Sequence, residues 1–517
     1  MRFKLGDVMK FNTLKELVND RATKVGNNTF IVSPKNEDNI SFYEFKQEVD
    51  IIEEILISNG IKKGDKVSIV LKNGFEFSTS FFGITNVGGV VVPINTALKG
   101  KELEYLLKNS DSKYIITNKE FLSYMFNDVV VLSKENIYRG LVLIKLTNSQ
   151  GDDSFDNSEL TKKDLALILY TSGTTGKPKG VMLTHENLLA EAEHISTAHK
   201  LSSEDIALCI LPLFHINGLV ITLITPLYVG MKVIMPEKFS ASLFWGWIDK
   251  YRVTWFSAVP TILSIILSKE TPDKLDLSCM RFARSASAAL PVAVIEEFQN
   301  RFHIQIIEAY GISEGASQIT TNPVPPQKTK VGSVGFGFGN EIKIVDEYNN
   351  ETPAFKEGEI FVKGDNVAIG YYKNEASTKE AFVDGWFHTG DIGYFDGDGF
   401  LFLSGRKKEL INRAGEKFSP REIDEILYMI PEIELAATVG VPNSLYGEEV
   451  VAYIRFKDNQ TLEVYEIMDF CKERLAYFKV PKEIFFVNEF PQGANGKIQR
   501  LKLVKIYEER NINKESN

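Results

Sequence analysis

The chain has 517 residues, of which 44% are hydrophobic and 25% are charged, and its formal net charge is −10. This composition supplies enough apolar material for large cores and excludes a chain that is disordered throughout. The acidic balance argues against a general nucleic-acid binder, because such proteins need a basic surface.

The three cysteines, Cys209, Cys279 and Cys471, lie far apart and belong to no CxxC or His/Cys cluster. They indicate neither a disulfide framework nor a structural zinc site, and a cytoplasmic location is expected. Residues 1–20 lack the apolar run of a signal peptide. The most apolar stretches, residues 219–229 and 255–267, contain proline and are shorter than the roughly 20 residues of a spanning helix, so no membrane span is predicted.

Short apolar runs alternate with longer amphipathic runs over residues 1–400. Strands are predicted at residues 66–71, 90–94 and 114–117, and residues 165–170 (LALILY) have the continuous apolar character of a strand buried on both faces. Helical spacing of apolar residues over 186–199, with Thr184 as the cap, predicts a helix. Strands separated by helices predict parallel, doubly wound α/β layers.

The pattern changes after residue 404. Residues 419–422 (SPRE) form a capping box with proline at the first helical position, which predicts a helix that runs to Ile430 and stops before Pro431. Strands at 435–441, 450–456 and 483–487 and a helix at 464–475 complete a small α+β unit. We therefore predict an N-terminal domain of residues 1–404 and a C-terminal domain of residues 405–517.

The strongest chemical signal is a loop between two predicted strands, residues 170–180 (YTSGTTGKPKG). Its glycines let backbone amides turn inward, and its hydroxyls and lysines can contact an anion, so polyphosphate is the natural ligand. It is not a Walker A loop, because two residues separate Gly173 from Gly176 and Pro178 follows Lys177. The alternative of a plain polar hairpin turn is disfavoured by the density of small hydroxyl and basic residues.

Residues 310–315 (YGISEG) contain a literal G-x-S-x-G, the nucleophile elbow of serine hydrolases. A triad would also need His388, which is the one histidine after Ser313. The helix that must follow an elbow is poorly supported, because Pro323, Pro325 and Pro326 come soon afterwards. A hydrolase that uses Ser313 is a minor alternative.

Three further segments are informative in combination. Residues 385–391 (GWFHTGD) place an Asp after a glycine turn, where it can accept both hydroxyls of a ribose. Residues 405–411 (GRKKELI) and 495–500 (NGKIQR) place lysines close after a glycine, from which they can reach a cleft. Taken singly, the first segment is more often a capped loop that closes a hairpin, and each of the other two is most often a solvated basic surface.

Together and in this order, these segments resemble the acyl-adenylate-forming superfamily of AMP-binding acyl-CoA synthetases, and are most similar to its oxalate–CoA and 4-coumarate–CoA ligases. Residues 211–215 (LPLFH), 358–360 (GEI) and 370–371 (GY) match further motifs. The resemblance implies an α/β fold with a large N-terminal domain of layered α/β subdomains and a small β-barrel-like part. It also implies a small, mobile α+β C-terminal domain that hinges near Lys408.

The resemblance implies a role for each motif residue. The residues that would hold the ATP phosphates are Thr171, Ser172, Gly173, Thr174, Thr175 and Lys179. Those that would contact the rest of the nucleotide and the metal are Tyr310 on adenine, Ser313 beside the α-phosphate, Glu314 on Mg²⁺, and Asp391 and Arg406 on ribose. Lys497 would be a mobile lysine that touches the carboxylate and the α-phosphate. His215 would line the acyl pocket, and its alternative is a core histidine.

The implied activity is ATP-dependent activation of a carboxylic acid as acyl-AMP, followed by transfer to a thiol. CoA is the expected thiol, and the phosphopantetheine arm of a carrier protein is the alternative. Oxalate–CoA ligases resemble Phe-His-Val-His-Gly where this chain has Asn217 in place of the second histidine, and they have another histidine where this chain has Ser317. Two cations that could bind a second carboxylate are thus missing, which argues against oxalate and favours a monocarboxylate. The oligomeric state is left open.

Overall fold

The structure is a computed structural model that describes residues 11–125, 131–146, 158–171, 178–272, 274–288, 290–327, 329–492 and 498–515. The first elements are α1 (Leu14–Val25), β1 (Thr29–Ser33), β2 (Asp38–Ser41), α2 (Phe42–Ser58), β3 (Lys66–Ile69), α3 (Phe75–Asn86), β4 (Val90–Pro93), α4 (Gly100–Asn109), β5 (Ser112–Asn118), α5 (Lys119–Met125), β6 (Val131–Asn136) and β7 (Leu141–Leu146). The next are β8 (Leu165–Thr171), β9 (Lys179–Thr184), α6 (His185–Ala198), β10 (Ile206–Leu208), α7 (Thr225–Val229), β11 (Lys232–Ile234), α8 (Phe244–Tyr251), β12 (Trp255–Ala258), α9 (Pro260–Leu267), β13 (Phe282–Ser285), α10 (Val292–Phe302), β14 (Ile306–Ile312) and β15 (Ser317–Thr321).

The remaining elements lie in the last third of the chain. They are β16 (Ser333–Gly337), β17 (Glu341–Val345), β18 (Gly358–Lys363), β19 (Gly370–Tyr371), α11 (Glu375–Ala381), β20 (Phe382–Val383), β21 (Trp386–Phe395), β22 (Leu401–Arg406), β23 (Ile411–Arg413), β24 (Glu416–Phe418), α12 (Pro420–Leu427), β25 (Ile433–Asn443), β26 (Gly447–Phe456), α13 (Val464–Lys472), β27 (Glu483–Phe486) and α14 (Arg500–Glu515). A π-helical segment at Asn217–Ile224 and 3₁₀ turns at Tyr138–Gly140 and Ser313–Gly315 complete the set.

One sheet has eight strands in the order β19-β9-β8-β4-β3-β5-β7-β6. Its centre is parallel, since β3 pairs with β4 and β5, and β4 pairs with β8. The strands on both sides are antiparallel, including β8 and β9, so the Gly-rich loop joins the two arms of a hairpin. The strands predicted from apolar runs are present, and the parallel arrangement that we predicted is confined to the centre of the sheet.

A second sheet has 14 strands, and it also changes character along its width. From β11 through β10, β12 and β13 to β14 every pairing is parallel. From β14 through β15, β16, β22, β21 and β18 to β17 every pairing is antiparallel. The antiparallel strands correspond to the part that the sequence analysis described as barrel-like, and they continue the same sheet.

The main hydrophobic core is shared by the two large sheets. It contains Ile69 of β3 and Val233 of β11, together with residues of α3 and α6. Both helices are buried along most of their length, as expected for helices that lie between two sheets. Thr184 caps α6 as predicted, because its side chain accepts a hydrogen bond from the backbone N–H of Asn187.

The elements after Arg406 form a separate sheet with its own core. Its strand order is β24-β23-β26-β25, and β27 pairs with β26 in parallel. The predicted capping box of Ser419 and Glu422 is present at the start of α12. The helix ends at Leu427, three residues before the predicted end, because the following residues form i→i+3 bonds that tighten the chain ahead of Pro431. None of the helices in the described part of the chain combines the length and apolar character that a bilayer crossing requires.

Candidate active site

A cleft of about 2220 Å³ opens between the two large sheets and the C-terminal sheet. The end of β8, the turn after β14 and the edges of β21 and β22 line one wall, while Leu435, Arg455 and Arg500 come from the C-terminal elements. Several of the predicted site residues line it together: Thr171, Lys179, His215, Ser313, Glu314, Arg406 and Lys408. Residues far apart in sequence therefore meet in one cavity.

Five of the predicted residues lie outside the described part of the chain, namely Ser172, Gly173, Thr174, Thr175 and Lys497. Their flanks are described. Thr171 and Lys179 are cross-strand partners at the end of the β8–β9 hairpin from which the Gly-rich loop leaves. Gln492 and Ile498, on either side of the segment that carries Lys497, pair with each other and line the cleft. The roles of the five residues stay predictions.

Asp391, Arg406 and Tyr310 form a compact polar group beside the cleft. Asp391 and Arg406 face each other across β21 and β22, and the guanidinium Nε lies 2.9 Å from the carboxylate Oδ1. The phenol of Tyr310 donates to the other oxygen, Oδ2, at 2.6 Å. Both carboxylate oxygens are thus held, while each keeps a lone pair for a further donor.

The charges in this group stabilise one another. The carboxylate of Asp391 raises the pKa of Arg406 above its ordinary value. Burial, and then the negative charge of Asp391, raises the pKa of Tyr310 well above its ordinary value, so the phenol remains a donor. The tight turn between β21 and β22 fixes the register of the pair, because Asp396 accepts the backbone N–H groups of Asp398 and Phe400.

Glu314 is held by an aromatic residue from a distant strand. The phenol of Tyr371 donates to Glu314 Oε1 at 2.7 Å. The backbone carbonyl of Glu314 accepts the N–H of Ala368 at 2.7 Å. The Lys179 ammonium lies 4.9 Å from the centre of the Tyr371 ring. The second carboxylate oxygen of Glu314 takes no part in the Tyr371 bond.

The Glu314 carboxylate fits a magnesium ion that binds together with a nucleotide. Mg²⁺ is commonly bound by one or two carboxylates plus substrate phosphates, rather than by a cage of protein ligands. Within the described ranges, no group of three or more His, Cys, Asp and Glu side chains could hold a metal ion. A single carboxylate that lines the cleft matches that pattern.

The turn that carries Ser313 is not a nucleophile elbow. Ser313–Gly315 is one 3₁₀ turn, and β15 follows and pairs antiparallel with β14. An elbow requires a helix after the serine. The hairpin also explains Gly311: a Cβ at this position would lie 1.6 Å from the carbonyl oxygen of Ser317, so only glycine allows the two backbones to approach.

The side of the cleft that the resemblance assigns to the acyl group is lined by His215, Asn217, Ser287 and Ser317. The His215 ring packs against Phe214, with centroids 4.6 Å apart. The Asn217 side chain donates to Ser287 Oγ at 3.2 Å and accepts from Ser257 Oγ at 2.9 Å. Asn217 opens the π-helical segment, so its position is fixed by the backbone as well as by these bonds.

Arg284 is the functional candidate that the sequence analysis missed. It lies on β13, lines the acyl side of the cleft and is 1% exposed. It donates to Ser257 Oγ at 3.0 Å, Gln318 Oε1 at 3.3 Å and Asn217 Oδ1 at 3.4 Å, all of which are neutral. The signal in the sequence that could have indicated it is the run at residues 284–288 (RSASA), which is similar to oxalate–CoA ligases.

Burial shifts the acid–base properties of this network. It lowers the pKa of Arg284 to about 10, against a weaker opposing effect of Glu191. Glu191 is fully buried and accepts the backbone N–H of Gln318 at 2.5 Å and the amide of Asn366 at 2.8 Å. Burial raises the pKa of Glu191 well above its ordinary value, which weakens this carboxyl as a counter-ion for Arg284.

Comparison with known proteins places the chain among nucleotide-dependent ligases. The AMP-binding enzyme family matches residues 18–372, and the AMP-binding enzyme C-terminal domain matches residues 422–497. Sulfoacetate–CoA ligase of Cupriavidus necator is 38% identical over 503 residues, which are 96% of this chain and 98% of that protein. Oxalate–CoA ligase of Arabidopsis thaliana is 38% identical over 466 residues, which are 87% of this chain and 91% of that protein.

A solved structure agrees with this placement. ATP-bound MatB from Rhodopseudomonas palustris superimposes with a TM-score of 0.85 and is 27% identical, with 96% of this chain and 99% of that chain covered. The similarity extends over both the large sheets and the C-terminal elements.

Proposed function

The chain belongs to the AMP-binding enzyme family and is an AMP-forming acid–thiol ligase that uses ATP, Mg²⁺ and CoA, and we propose that its acid is small and carries a second anionic group. Ligases of this kind activate an acid as acyl-AMP and then transfer the acyl group to CoA. The proposal concerns the identity of the acid, the roles of the site residues and the part of the chain that moves between the two steps.

The observation that carries the choice of acid is the buried Arg284 guanidinium, whose hydrogen-bond partners are all neutral. A buried cation without a paired carboxylate is costly, and an anion from the substrate would supply the missing counter-charge. The expectation of a monocarboxylate rested on the two missing histidines and took no account of Arg284. Two relatives support the revised proposal, since sulfoacetate and oxalate both carry two acidic groups.

The polar lining also argues against a long apolar acid. Asn217, Ser287 and Arg284 occupy the part of the cleft next to His215. A fatty acyl chain there would bury the polar hydrogens that these groups do not use among themselves, and each unpaired buried donor costs about 1–3 kcal/mol. A carboxylate or sulfonate would accept their hydrogens instead.

We assign the nucleotide contacts to the residues that the family resemblance indicated. Asp391 would accept the ribose hydroxyls with the lone pairs that Tyr310 and Arg406 leave, and Glu314 would hold Mg²⁺ through its second oxygen. When bound, Mg²⁺ supplies positive charge to the phosphates of ATP. Lys179 would add charge on the same side, and Ser313 would donate its hydroxyl beside the α-phosphate.

The first step is displacement at phosphorus. A carboxylate oxygen of the acid attacks the α-phosphorus, a new P–O bond forms, and the bond to pyrophosphate breaks. Both reactants are anions, so the reaction needs positive charge between them more than it needs a general base. We assign this role to Lys497, at the end of the segment whose flanks, Gln492 and Ile498, line the cleft.

In the second step the CoA thiol attacks the acyl carbon and AMP leaves. We propose that the elements after Lys408 rotate between the steps about this residue, which lies in an exposed turn between β22 and β23. The movement would withdraw Lys497 and admit the thiol.

The free state of all three cysteines agrees with a reducing cytoplasm.

A carboxylate panel in a pyrophosphate-release assay, run with and without CoA, tests the proposal. Oxalate, malonate and sulfoacetate are compared with propionate, hexanoate and benzoate. We expect the highest kcat/KM with a two-anion acid and turnover that depends on CoA. A preference for hexanoate or benzoate would contradict the proposed acid, and acyl-AMP that accumulates despite free CoA would favour a carrier-protein thiol.

The Lys497→Ala variant separates the two steps. Acyl-AMP formation should fall by about 10²–10³-fold, because the charge between the two anions is lost. CoA thioester formation from supplied acyl-AMP should stay within a few-fold of the parent enzyme. Lys502→Ala, which removes a lysine that also lines the cleft, is the control. Equal loss of both steps would contradict the assignment of Lys497.

A further inference from the structure

Tyr371 touches two of the charged side chains to which the proposed function gives different tasks. Its phenol donates to Glu314 Oε1 at 2.7 Å, and the face of its ring lies 4.9 Å from the Lys179 ammonium. The three residues are far apart in sequence and come from the turn after β14, from β19 and from β9. One side chain therefore joins the proposed metal ligand to a proposed phosphate ligand.

The backbone around Tyr371 fixes its position. β19 pairs with β9, with Gly370 opposite Met182 and Tyr371 opposite Val181. The next residue continues the contact, since the Tyr372 N–H bonds the Gly180 carbonyl at 2.7 Å. Just before β19 in the chain, the backbone N–H of Ala368 donates to the Glu314 carbonyl at 2.7 Å. The short strand thus ties the turn of Glu314 to the hairpin arm that carries Lys179.

The side chain has little freedom within this frame. Tyr371 is 7% exposed, and the Phe382 ring packs edge-on against it at 5.8 Å. Its phenol carries one proton, and that proton is given to Oε1, which leaves Oε2 of Glu314 for a cation. A tyrosine phenol ordinarily has a pKa of about 10, so the group is a donor at physiological pH.

We propose that Tyr371 is a positioning residue that fixes the Glu314 carboxylate and the Lys179 ammonium in the arrangement that MgATP requires. The inference rests on the proposed roles of Glu314 and Lys179. The phenol holds the carboxylate rotamer, and the ring holds the ammonium through a cation–π contact. Neither contact reaches the reacting atoms, so the effect is on the binding of magnesium nucleotide rather than on the chemical step.

The two contacts can be removed separately. Tyr371→Phe keeps the ring and loses the bond to Glu314, whereas Tyr371→Leu loses both contacts. Tyr372→Phe is the matched control, because the Tyr372 phenol donates to Asp111 Oδ2 at 2.8 Å and does not line the cleft. The control removes the same atom from the adjacent residue.

The measurement is calorimetric binding of ATP at a series of Mg²⁺ concentrations, with kcat recorded over the same series. Tyr371→Phe should need roughly tenfold more Mg²⁺ for half-maximal ATP binding, which matches the loss of a hydrogen bond to a charged group. Its kcat should return to within about threefold of the parent enzyme at saturating Mg²⁺. Tyr371→Leu should need several-fold more Mg²⁺ again, because it also loses the cation–π contact, and Tyr372→Phe should match the parent.

Glu314→Gln shows which hypothesis fails. If Glu314→Gln raises the Mg²⁺ requirement and Tyr371→Phe does not, the role of Tyr371 is overturned while that of Glu314 stands. If Glu314→Gln leaves the Mg²⁺ requirement unchanged, the proposed metal role of Glu314 is wrong. A loss of kcat in Tyr371→Phe that is equal at every Mg²⁺ concentration would indicate a general structural defect and would also overturn the proposal.

Discussion

The two ends of the cleft handle charge in opposite ways. At the nucleotide end, Asp391 is paired with Arg406 and bonded to Tyr310, so the carboxylate and the guanidinium satisfy each other before any ligand is present. At the acyl end, Arg284 is buried among Asn217, Ser257 and Gln318, which carry no charge.

Under the proposed function, the difference follows from what each end has to bind. A ribose is neutral and needs acceptors that are already oriented, so an internally balanced ion pair suits it. An acid with a second anion brings its own charge, so the site can hold a cation whose counter-ion is the substrate. The nucleotide end is thus complete by itself, and the acyl end is complete only with its ligand.

Breaking the balanced end should give the largest effect. Asp391→Asn removes the negative charge that would accept the two ribose hydroxyls and should lower kcat/KM for ATP by about 10²–10³-fold, since each hydrogen bond to a charged group contributes about 1.5–3 kcal/mol. Pyrophosphate exchange at varied ATP measures this change. Asp384→Asn, an exposed substitution near the start of β21, is the control and should match the parent. An unchanged kcat/KM for ATP would show that Asp391 has no part in nucleotide binding.

Removing the Arg284 guanidinium, whose hydrogen-bond partners are uncharged, should change substrate specificity more than total activity. Arg284→Met should reduce the ratio of kcat/KM for malonate to that for propionate by about 10–100-fold, because one or more charge-assisted hydrogen bonds are lost. The ratio is independent of how much enzyme is folded. Arg284→Lys keeps the charge and should retain more of the ratio. A ratio that is the same in Arg284→Met and the parent would remove Arg284 as the anion-binding residue.

His199, which bonds the same Gln318 oxygen as Arg284, should also make the stability of the fold sensitive to acid. His199 bonds Gln318 Oε1 at 3.1 Å, and burial, followed by the charge of Arg284, lowers its pKa to about 3. The unfolded chain takes up this proton near pH 6.5, whereas the folded protein resists it, so stability is lost as the pH falls from 6.5 toward 3. Between pH 6.5 and 5 the free energy of unfolding should fall by about 2 kcal/mol through this residue.

His199→Gln isolates that contribution. Melting temperatures of both proteins at pH 7, 6 and 5 give the two slopes, and the parent should lose stability more steeply. Other buried histidines, such as His185 and His194, contribute equally to both proteins and cancel in the difference. Parallel slopes would mean that His199 is protonated in the folded protein as readily as in the unfolded chain.

Local structure could be predicted where one pattern dominated. The run LALILY predicted β8, and the capping pair Ser419 and Glu422 predicted the start of α12. The helix α3 was not predicted, because it is buried on nearly every face and so lacks the apolar periodicity of a surface helix. The antiparallel pairing of β8 and β9 was not predicted either, since strand direction depends on the sheet rather than on the run itself.

The nucleotide end of the site could be predicted better than the acyl end. Asp391 and Tyr310 lie in recognisable motifs, and the fold brings them to 2.6 Å. Arg284 could not be predicted as an anion-binding residue, because its burial and neutral partners depend on three other elements. The contact of Tyr371 with Glu314 could not be predicted for the same reason, since it joins residues 57 positions apart.

The facing positions of Asp391 and Arg406 have a consequence for how this stretch of chain can change in length. Their side chains meet because β21 and β22 are in register, and the turn held by Asp396 sets that register. Inserting one residue into the turn would slide the ladder and point one of the two side chains to the opposite face of the sheet. An insertion would then have to be absorbed by a bulge, such as the irregularity already present between Ile392 and Gly393. The pair therefore depends on the number of residues between Asp391 and Arg406 as well as on the two amino acids themselves.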